Sequence, residues 1–308
     1  MMSSTKSQKT LIWFALFFTQ LLFALSYIFS KILMETFPPI VWAFLRTSTT
    51  ALILLPIALA LKRPRPKLTR SFITSLLIFS LLGGAFTQGF YLIGLHYTTS
   101  INSAVLYTLS PLMTLATVIW IGQERATPLR LIGFLISFLG VLTLSHAESY
   151  QLSHQRILGD CLTLLSCMSY GLFIALSKPF FEKYDSLWIT TGMFTFSGLI
   201  FGVFAIPQLP AVHLPALSLS FASMVVFGII GSTLMTYFLV IWTLSRAPSS
   251  QVALFGYLQP ILTSFISWIY LDEVISERTL LATLFILVGV SFTIEWNLTK
   301  SISQAHET

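Results

Sequence analysis

Ten apolar segments, separated by short polar breaks, run through the chain at approximately 11–34, 39–61, 71–95, 100–121, 128–145, 158–181, 186–206, 217–244, 249–271 and 277–297. About 20 consecutive apolar residues make a helix long enough to cross a bilayer, so the pattern predicts ten transmembrane spans. No stretch between them is long enough for a separate soluble domain. Local chemistry marks the boundaries. Thr127-Pro128 reads as an N-cap followed by proline at the first helical position of span 5. Ser276-Glu277 starts span 10 with an acid where the helix dipole favours one, and Asp160 near the start of span 6 reads the same way. Pro64 and Pro66 stiffen the connection between spans 2 and 3, Pro207, Pro210 and Pro215 that between spans 7 and 8. The first span has too long an apolar stretch for a cleaved signal peptide and lacks an A-x-A-like site after it.

The pattern then repeats. Shifting residues 102–141 by 149 positions lays them without a gap on 251–290, with nine identities in forty. Leucine matches mean little in so apolar a chain, so Ala104/Ala253, Pro111/Pro260, Thr114/Thr263, Glu124/Glu273 and Gly140/Gly289 carry the repeat. Upstream, Ser30-Lys31 and Glu35 recur as Ser177-Lys178 and Glu182. Two five-span copies, 11–145 and 158–297, leave short tails at 1–10 and 298–308 and a polar linker at 146–157. Because five is odd, the second copy enters the membrane upside down relative to the first. Inverted repeats with broken helices at matching positions are the sequence mark of a secondary transporter whose site lies between the copies.

Composition and charge narrow the class. Hydrophobic residues are 55% and charged residues 9% of the chain, against roughly 25% charged in a soluble domain, so lipid is the solvent for most of the surface. The fold class expected is an all-α integral membrane protein. The net charge of +6 does not point to nucleic acid. Lys62, Arg63, Arg65, Lys67 and Arg70 fill the 2–3 loop; Lys6, Lys9, Arg125, Arg130, Lys178, Lys183, Arg246 and Lys300 fall at ends or loops of the same parity. Arg156 and Arg278 alone occupy loops of the other parity, with Lys31 and Arg46 in or near spans. This positive-inside bias puts both termini in the cytoplasm.

Little sequence chemistry suggests an enzyme. Cys161 and Cys167 lie on one span without metal spacing, all five histidines fall in loops or tails, and G-x-S-x-G and H-E-x-x-H are missing. No metal and no cofactor is expected. The informative residues are polar groups inside spans. Pro111 and Pro260, near the middle of spans 4 and 9, each remove a backbone hydrogen bond. Such breaks either expose carbonyls to a substrate cavity or form packed kinks, and their pairing favours the first. Arg46, about two turns into span 2, either holds a substrate carboxylate or bonds nearby carbonyls. Lys31 reads as snorkelling to the interface, paired with Glu35. Gln88, Gln259, Tyr27 and Tyr237 line a cavity or bond across helices, and Tyr91, Tyr107, Tyr170 and Tyr257 sit at similar depth. Tyrosine faces suit a planar ring or a cation, and arginine suits a carboxylate. Gly198-x-x-x-Gly202 and Gly83-Gly84 read as packing positions. Since no Asp or Glu sits near mid-membrane, facilitated diffusion or exchange is expected over obligatory proton coupling.

The run Leu95-His96-Tyr97-Thr98-Thr99 through Ser110-Pro111 to Gln123-Glu124-Arg125, then Gly133 and Gly140-Val141, resembles the first repeat of the EamA family in the drug/metabolite transporter superfamily. Ser245-Arg246-Ala247 through Gln259-Pro260 to Asp272-Glu273 and Gly289-Val290 is similar to its second repeat, and Lys31 and Arg46 fit positions where the family often carries basic residues. The resemblance implies a ten-helix carrier of the bacterial inner membrane, with a central cavity and alternating access. It also implies a small-molecule substrate such as an amino acid or S-adenosylmethionine, the latter by exchange with S-adenosylhomocysteine. Export of drugs or other metabolites, a channel, and a receptor that does not move its ligand stay open as alternatives, as do the monomer and the homodimer.

Overall fold

The computed structural model describes residues 6–123, 127–145, 154–212, 214–215, 218–247, 249–285, 287–289 and 291–292. Glu124, the 298–308 tail and residues 146–153 of the linker lie outside them. Seven helices among the described residues are long and apolar enough to cross a membrane: Thr10–Leu33, Pro39–Ala60, Arg70–Tyr97, Ser100–Trp120, His154–Lys183, Ser186–Pro210 and Leu219–Leu244. Span 5 is the helix Pro128–Ser145, span 9 is built from Ser249–Leu254 and Gln259–Tyr270, and span 10 is helical at 277–285. Span 1 starts earlier than its apolar stretch, at Lys6.

Several helix starts carry a capping side chain that the sequence pattern does not single out. Thr69, Thr99, Asp185 and Ser218 each accept a backbone N–H two or three residues on, from Phe72, Asn102, Leu187 and Phe221. Ser276 Oγ accepts from Thr279 N at 3.1 Å, as the reading of span 10 requires. Asp160 departs from the sequence expectation. Its helix begins a turn and a half earlier, at His154, so Asp160 is no cap. Its carboxylate instead accepts from Thr98 Oγ1 (2.9 Å) and Asn102 Nδ2 (2.8 Å) across the bundle.

Spans 3 and 8 share an irregularity that the sequence pattern does not announce. Each contains a π-helical stretch, Leu81–Phe86 and Phe227–Met235, followed by α-helix from Thr87 and Thr236. The wider turn leaves carbonyls that the threonines collect: Thr87 Oγ1 donates to Leu82 O (2.6 Å) and Thr236 Oγ1 to Gly231 O (2.8 Å), both five residues back. The 149-residue shift that aligns spans 4 and 9 also lays Thr87 on Thr236. The two π-stretches are thus a repeat feature.

Spans 4 and 9 run antiparallel. The first half of span 4, Ser100–Tyr107, lies beside the second half of span 9, while Ser110–Trp120 lies beside Ser249–Leu254. This is the inversion expected of a five-span repeat. Both helices break before their prolines, which sit in the first turn of Ser110–Trp120 and Gln259–Tyr270. A proline there costs no ladder bond, because the first-turn N–H groups lack helical partners anyway. The breaks meet: a Cβ on Gly256 would lie 3.7 Å from Pro111 Cγ.

Hydrogen bonds sort the loops into two ends. At one end Lys31 Nζ donates to Leu95 O (2.7 Å), His96 O and Thr98 O, satisfying carbonyls where span 3 finishes. Glu273 Oε1 and Oε2 accept from Ser100 N and Ile101 N, both at 3.0 Å, where span 4 begins. At the other end Lys178 Nζ donates to Leu244 O (3.1 Å) and Ala247 O (2.8 Å), where span 8 finishes, and Arg63 approaches Asp185 at 4.0 Å. The repeated Ser-Lys pairs therefore place one lysine at each end for the same task. Lys31 is a clamp between spans rather than a snorkelling partner of Glu35; Lys178 does pair with Glu182, at 3.1 Å.

Small residues set the spacing of the bundle. Gly94 on span 3 and Gly159 on span 6 lie backbone to backbone, so a Cβ on Gly94 would come 2.8 Å from Gly159 O. Gly198 and Gly202 rest on Ser48 and Phe44 of span 2, and Gly84 on Ser197. These glycines pack the monomer.

Gly94→Val should force spans 3 and 6 apart and lower stability by about 1–3 kcal/mol or more, because backbone cannot yield as a side chain does. A lower melting midpoint in detergent checks it. Lys31→Met should cost about 2 kcal/mol by stranding the carbonyls of span 3, and Lys178→Met a similar amount at the other end. Thermal unfolding of both variants measures this.

Candidate functional site

Arg46 occupies the second span seven residues after its start at Pro39, about 10 Å along the helix. Only 2% of it is exposed. Its Nε donates to Thr233 Oγ1 at 2.7 Å, one Nη to Ser30 Oγ at 3.3 Å, and the other to Ser232 Oγ and Ser232 O at 3.2 and 3.4 Å. All these acceptors are neutral. Three of the four bonds are longer than the roughly 2.7–2.9 Å of a charge-assisted N–H···O⁻ bond. Among the described residues no carboxylate lies within ion-pair distance of the guanidinium. Trp42 flanks it, with the guanidinium carbon 5.8 Å from the ring centroid, and donates to the same Ser30 Oγ.

The π-stretch of span 8 makes this cradle possible. Ser232 and Thr233 are consecutive, yet the wide turn lets both hydroxyls reach the guanidinium while donating to Gly228 O at 3.0 and 2.6 Å. Each hydroxyl thus donates to the helix and accepts from Arg46, using donor and acceptor together. Ser30 lies in the first Ser-Lys pair, so it and Lys31 act on different helices from one turn of span 1.

Next to Arg46 the tyrosines form a contiguous wall. Tyr27 meets Tyr91 edge-on at 5.1 Å, Tyr91 meets Tyr107 at 6.5 Å, and Tyr107 meets Tyr170 at 5.8 Å. Tyr237 packs on Phe194 at 5.2 Å, with Gln88 beside its hydroxyl. Both Tyr91 and Tyr237 lie close enough to Arg46 to feel its charge. The Tyr91 hydroxyl is buried beside Ser26 and Ser30 without a partner in full hydrogen-bonding geometry. On the far side of Tyr27 an amide chain runs between spans: Tyr27 Oη donates to Gln259 Oε1 (3.4 Å), and Gln259 Nε2 donates to Gln20 Oε1 (2.7 Å).

The fold therefore brings Arg46, Tyr27, Gln88, Tyr91, Tyr107, Tyr170, Tyr237 and Gln259 into one interior region contributed by both repeats. Tyr257 borders this region from the second repeat: it lies in the short 3₁₀ turn Phe255–Leu258 and packs with Val105, Leu106, Leu109 and Leu112, in a cluster that Tyr107 also packs against. Asn102 sits at the end of the bundle with Asp160 and not beside the prolines. Sequence reasoning missed Ser232 and Thr233, the principal partners of Arg46. They were two among several hydroxyl-bearing residues of span 8, with Ser223, Thr236 and Thr243, so the sequence did not single them out. The side chains of the region, Tyr107 excepted, are at most 8% exposed, so the conformation is closed around them.

Comparison with known proteins completes the picture. The sequence model of the EamA-like transporter family matches the chain twice, over residues 10–146 and 157–294. An uncharacterized transporter of Archaeoglobus fulgidus is 27% identical over 89% of this chain and 94% of its own length. The uncharacterized transporter YoaV of Bacillus subtilis is 22% identical over 88% and 92%. A WAT1-related protein of Arabidopsis thaliana is 24% identical over 92% and 81%. A solved crystal structure shares the fold, with a TM-score of 0.66 and 17% identity over 95% of this chain and 98% of that one. With two repeats covering nearly all of its length, the chain belongs to the EamA-like transporter family and is a multi-pass membrane transporter.

Proposed function

We propose that the protein is a secondary transporter in a bacterial inner membrane that alternates access to a carboxylate-bearing metabolite. The cargo is an amino acid or an amino-acid derivative such as S-adenosylmethionine, exchanged for its spent product S-adenosylhomocysteine. The observation that carries this reading is Arg46, a buried guanidinium held by neutral oxygens alone. A cation inside a membrane costs about 2.5–3.5 kcal/mol even on insertion scales, and an anionic partner offsets that cost. A solute carboxylate replacing the long bonds to Ser30 and Ser232 supplies that partner with two parallel hydrogen bonds. The tyrosine wall from Tyr27 to Tyr170 offers ring edges and faces to the rest of the solute, by stacking or cation–π attraction.

The repeats, 11–145 and 158–297, rock about this site, with the paired breaks at Pro111 and Pro260 as the places where each copy bends. The basic 2–3 loop and the Lys178 end face the cytoplasm, together with both termini. Coupling is by exchange or facilitated diffusion. The described carboxylates Asp160, Asp185, Glu182 and Glu273 sit near helix ends, where they cap, pair or accept from neighbouring spans, and not in the interior with Arg46.

Arg46→Ala should lower apparent affinity for amino-acid-like competitors at least about tenfold, and Arg46→Lys should restore part of it, since lysine keeps the charge but not the planar fork. Competition of amino acids, S-adenosylmethionine, nucleotides and cationic dyes against labelled uptake in proteoliposomes measures this. If no amino-acid-like compound competes, or Arg46→Ala leaves affinity unchanged, the substrate assignment is wrong; binding without accumulation identifies a receptor. Uptake should persist when the pH gradient is dissipated, and its collapse under an uncoupler would overturn the exchange mechanism.

A further inference from the structure

Span 9 is turned inside out. The outward side of Gln259–Tyr270 carries Ile261, Phe265, Trp268, Ile269 and Tyr270, all exposed. Its buried side consists of Gln259, Pro260, Thr263, Ser264 and Ser267, with no large apolar side chain among them. This face is turned toward span 1 and the first half of span 4. In the inverted copy, Ser110–Trp120 buries Leu112, Leu115 and Val118 alongside its hydroxyls, as a packed helix does.

The hydroxyls behave differently too. In most spans buried Ser and Thr side chains donate to the carbonyl four residues back, as Thr19, Thr47, Ser80, Thr163 and Thr190 do. Thr114, the repeat partner of Thr263, donates to Ser110 O and Gly171 O. Thr263, Ser264 and Ser267 have no partner, and neither has Ser100 on the facing helix. Ser110, Ser137 and Ser249 also lack partners, but as single positions on separate helices. An unpaired buried hydroxyl is unfavourable, and three on one face offer hydrogen-bonding capacity that an entering polar group or water can complete. Thr263 and Ser267 are 0% exposed, so nothing fits beside them while the helices are closed.

We propose that this face is the half of the solute path leading from the Glu273 end to Gln259 and Tyr27, shut in the present conformation, and that Glu273 is its latch. The proposal deepens the transporter reading and rests on it. Glu273 follows span 9 directly and bonds Ser100 N and Ile101 N, tying the end of span 9 to the start of span 4. Those two helices flank the polar face. Release of the carboxylate lets them part, and water then pairs with the hydroxyls from Ser267 inward to Thr263. A polar solute passing along them finds groups that both donate and accept. Thr114 and its apolar neighbours form no such path toward the opposite end.

The test is cysteine accessibility in a Cys161→Ser background, which leaves buried Cys167 as an internal control. Ser264→Cys and Ser267→Cys should react with a membrane-impermeant thiosulfonate added on the Glu273 side, while Thr114→Cys should stay unreactive from either side. Adding Glu273→Ala should speed the span 9 reactions at least about threefold. Span 9 cysteines that stay unreactive even with Glu273→Ala, or Thr114→Cys reacting as fast as they do, would overturn the path. Hydroxyl-radical labelling of the unsubstituted protein gives a readout independent of any variant. Pro260 should be oxidised several-fold faster than its repeat partner Pro111, and equal rates would count against the proposal. Were the path overturned while Arg46→Ala still abolished competition, the solute assignment would stand and only its route would be wrong.

Discussion

Inside a bilayer a carbonyl that leaves its helix has no water to turn to, and the structure is organised around that constraint. Spans 3 and 8 are widened and spans 4 and 9 broken, and specific side chains meet both the widened turns and the ends of the spans. Thr87 and Thr236 collect carbonyls from the π-stretches, Lys31 and Lys178 collect those at the ends of spans 3 and 8, and Glu273 takes the free N–H groups of span 4. These partners come from other spans in the lysine and glutamate cases. The ends of spans 3, 4 and 8 are thus completed by side chains of neighbouring spans, which ties local backbone satisfaction to tertiary packing.

The inverted repeat supplies two copies of this scheme, and the surroundings of Arg46 lie where the copies differ. Ser30 and Ser177 are equivalent, but Ser30 accepts from Arg46 and Trp42, whereas Ser177 donates to Phe173 O in its own helix. Gln88 and Tyr237 fall on matching positions and meet near the centre. Span 4 buries leucine and valine where span 9 buries hydroxyls. Symmetry provides two related ends, and the departures from it provide a charge at one place and a polar face along one end. A transporter needs both: the ends must open by related motions, and the solute must be held by particular groups.

Much of this was legible before any coordinates. The length of the apolar segments determined that the chain crosses a membrane, since only a spanning helix requires so many apolar residues in a row. The gapless match between 102–141 and 251–290 determined that it repeats, and the odd number of spans that the copies are inverted. Prolines at matching positions located the breaks of spans 4 and 9, and Ser276 located the start of span 10. What the tertiary structure alone decided is the partner of each polar side chain. Lys31 reaches the end of span 3 and not Glu35, Asp160 bonds Thr98 and Asn102 and caps nothing, and Arg46 rests on Ser232 and Thr233. The physical reason lies in helix geometry. Neighbouring residues on a helix point about 100° apart, so one residue of rotation or one π-turn changes which helix a side chain meets. In spans that are apolar on nearly every side, the sequence carries only a faint record of that rotation, and packing of the whole bundle sets it.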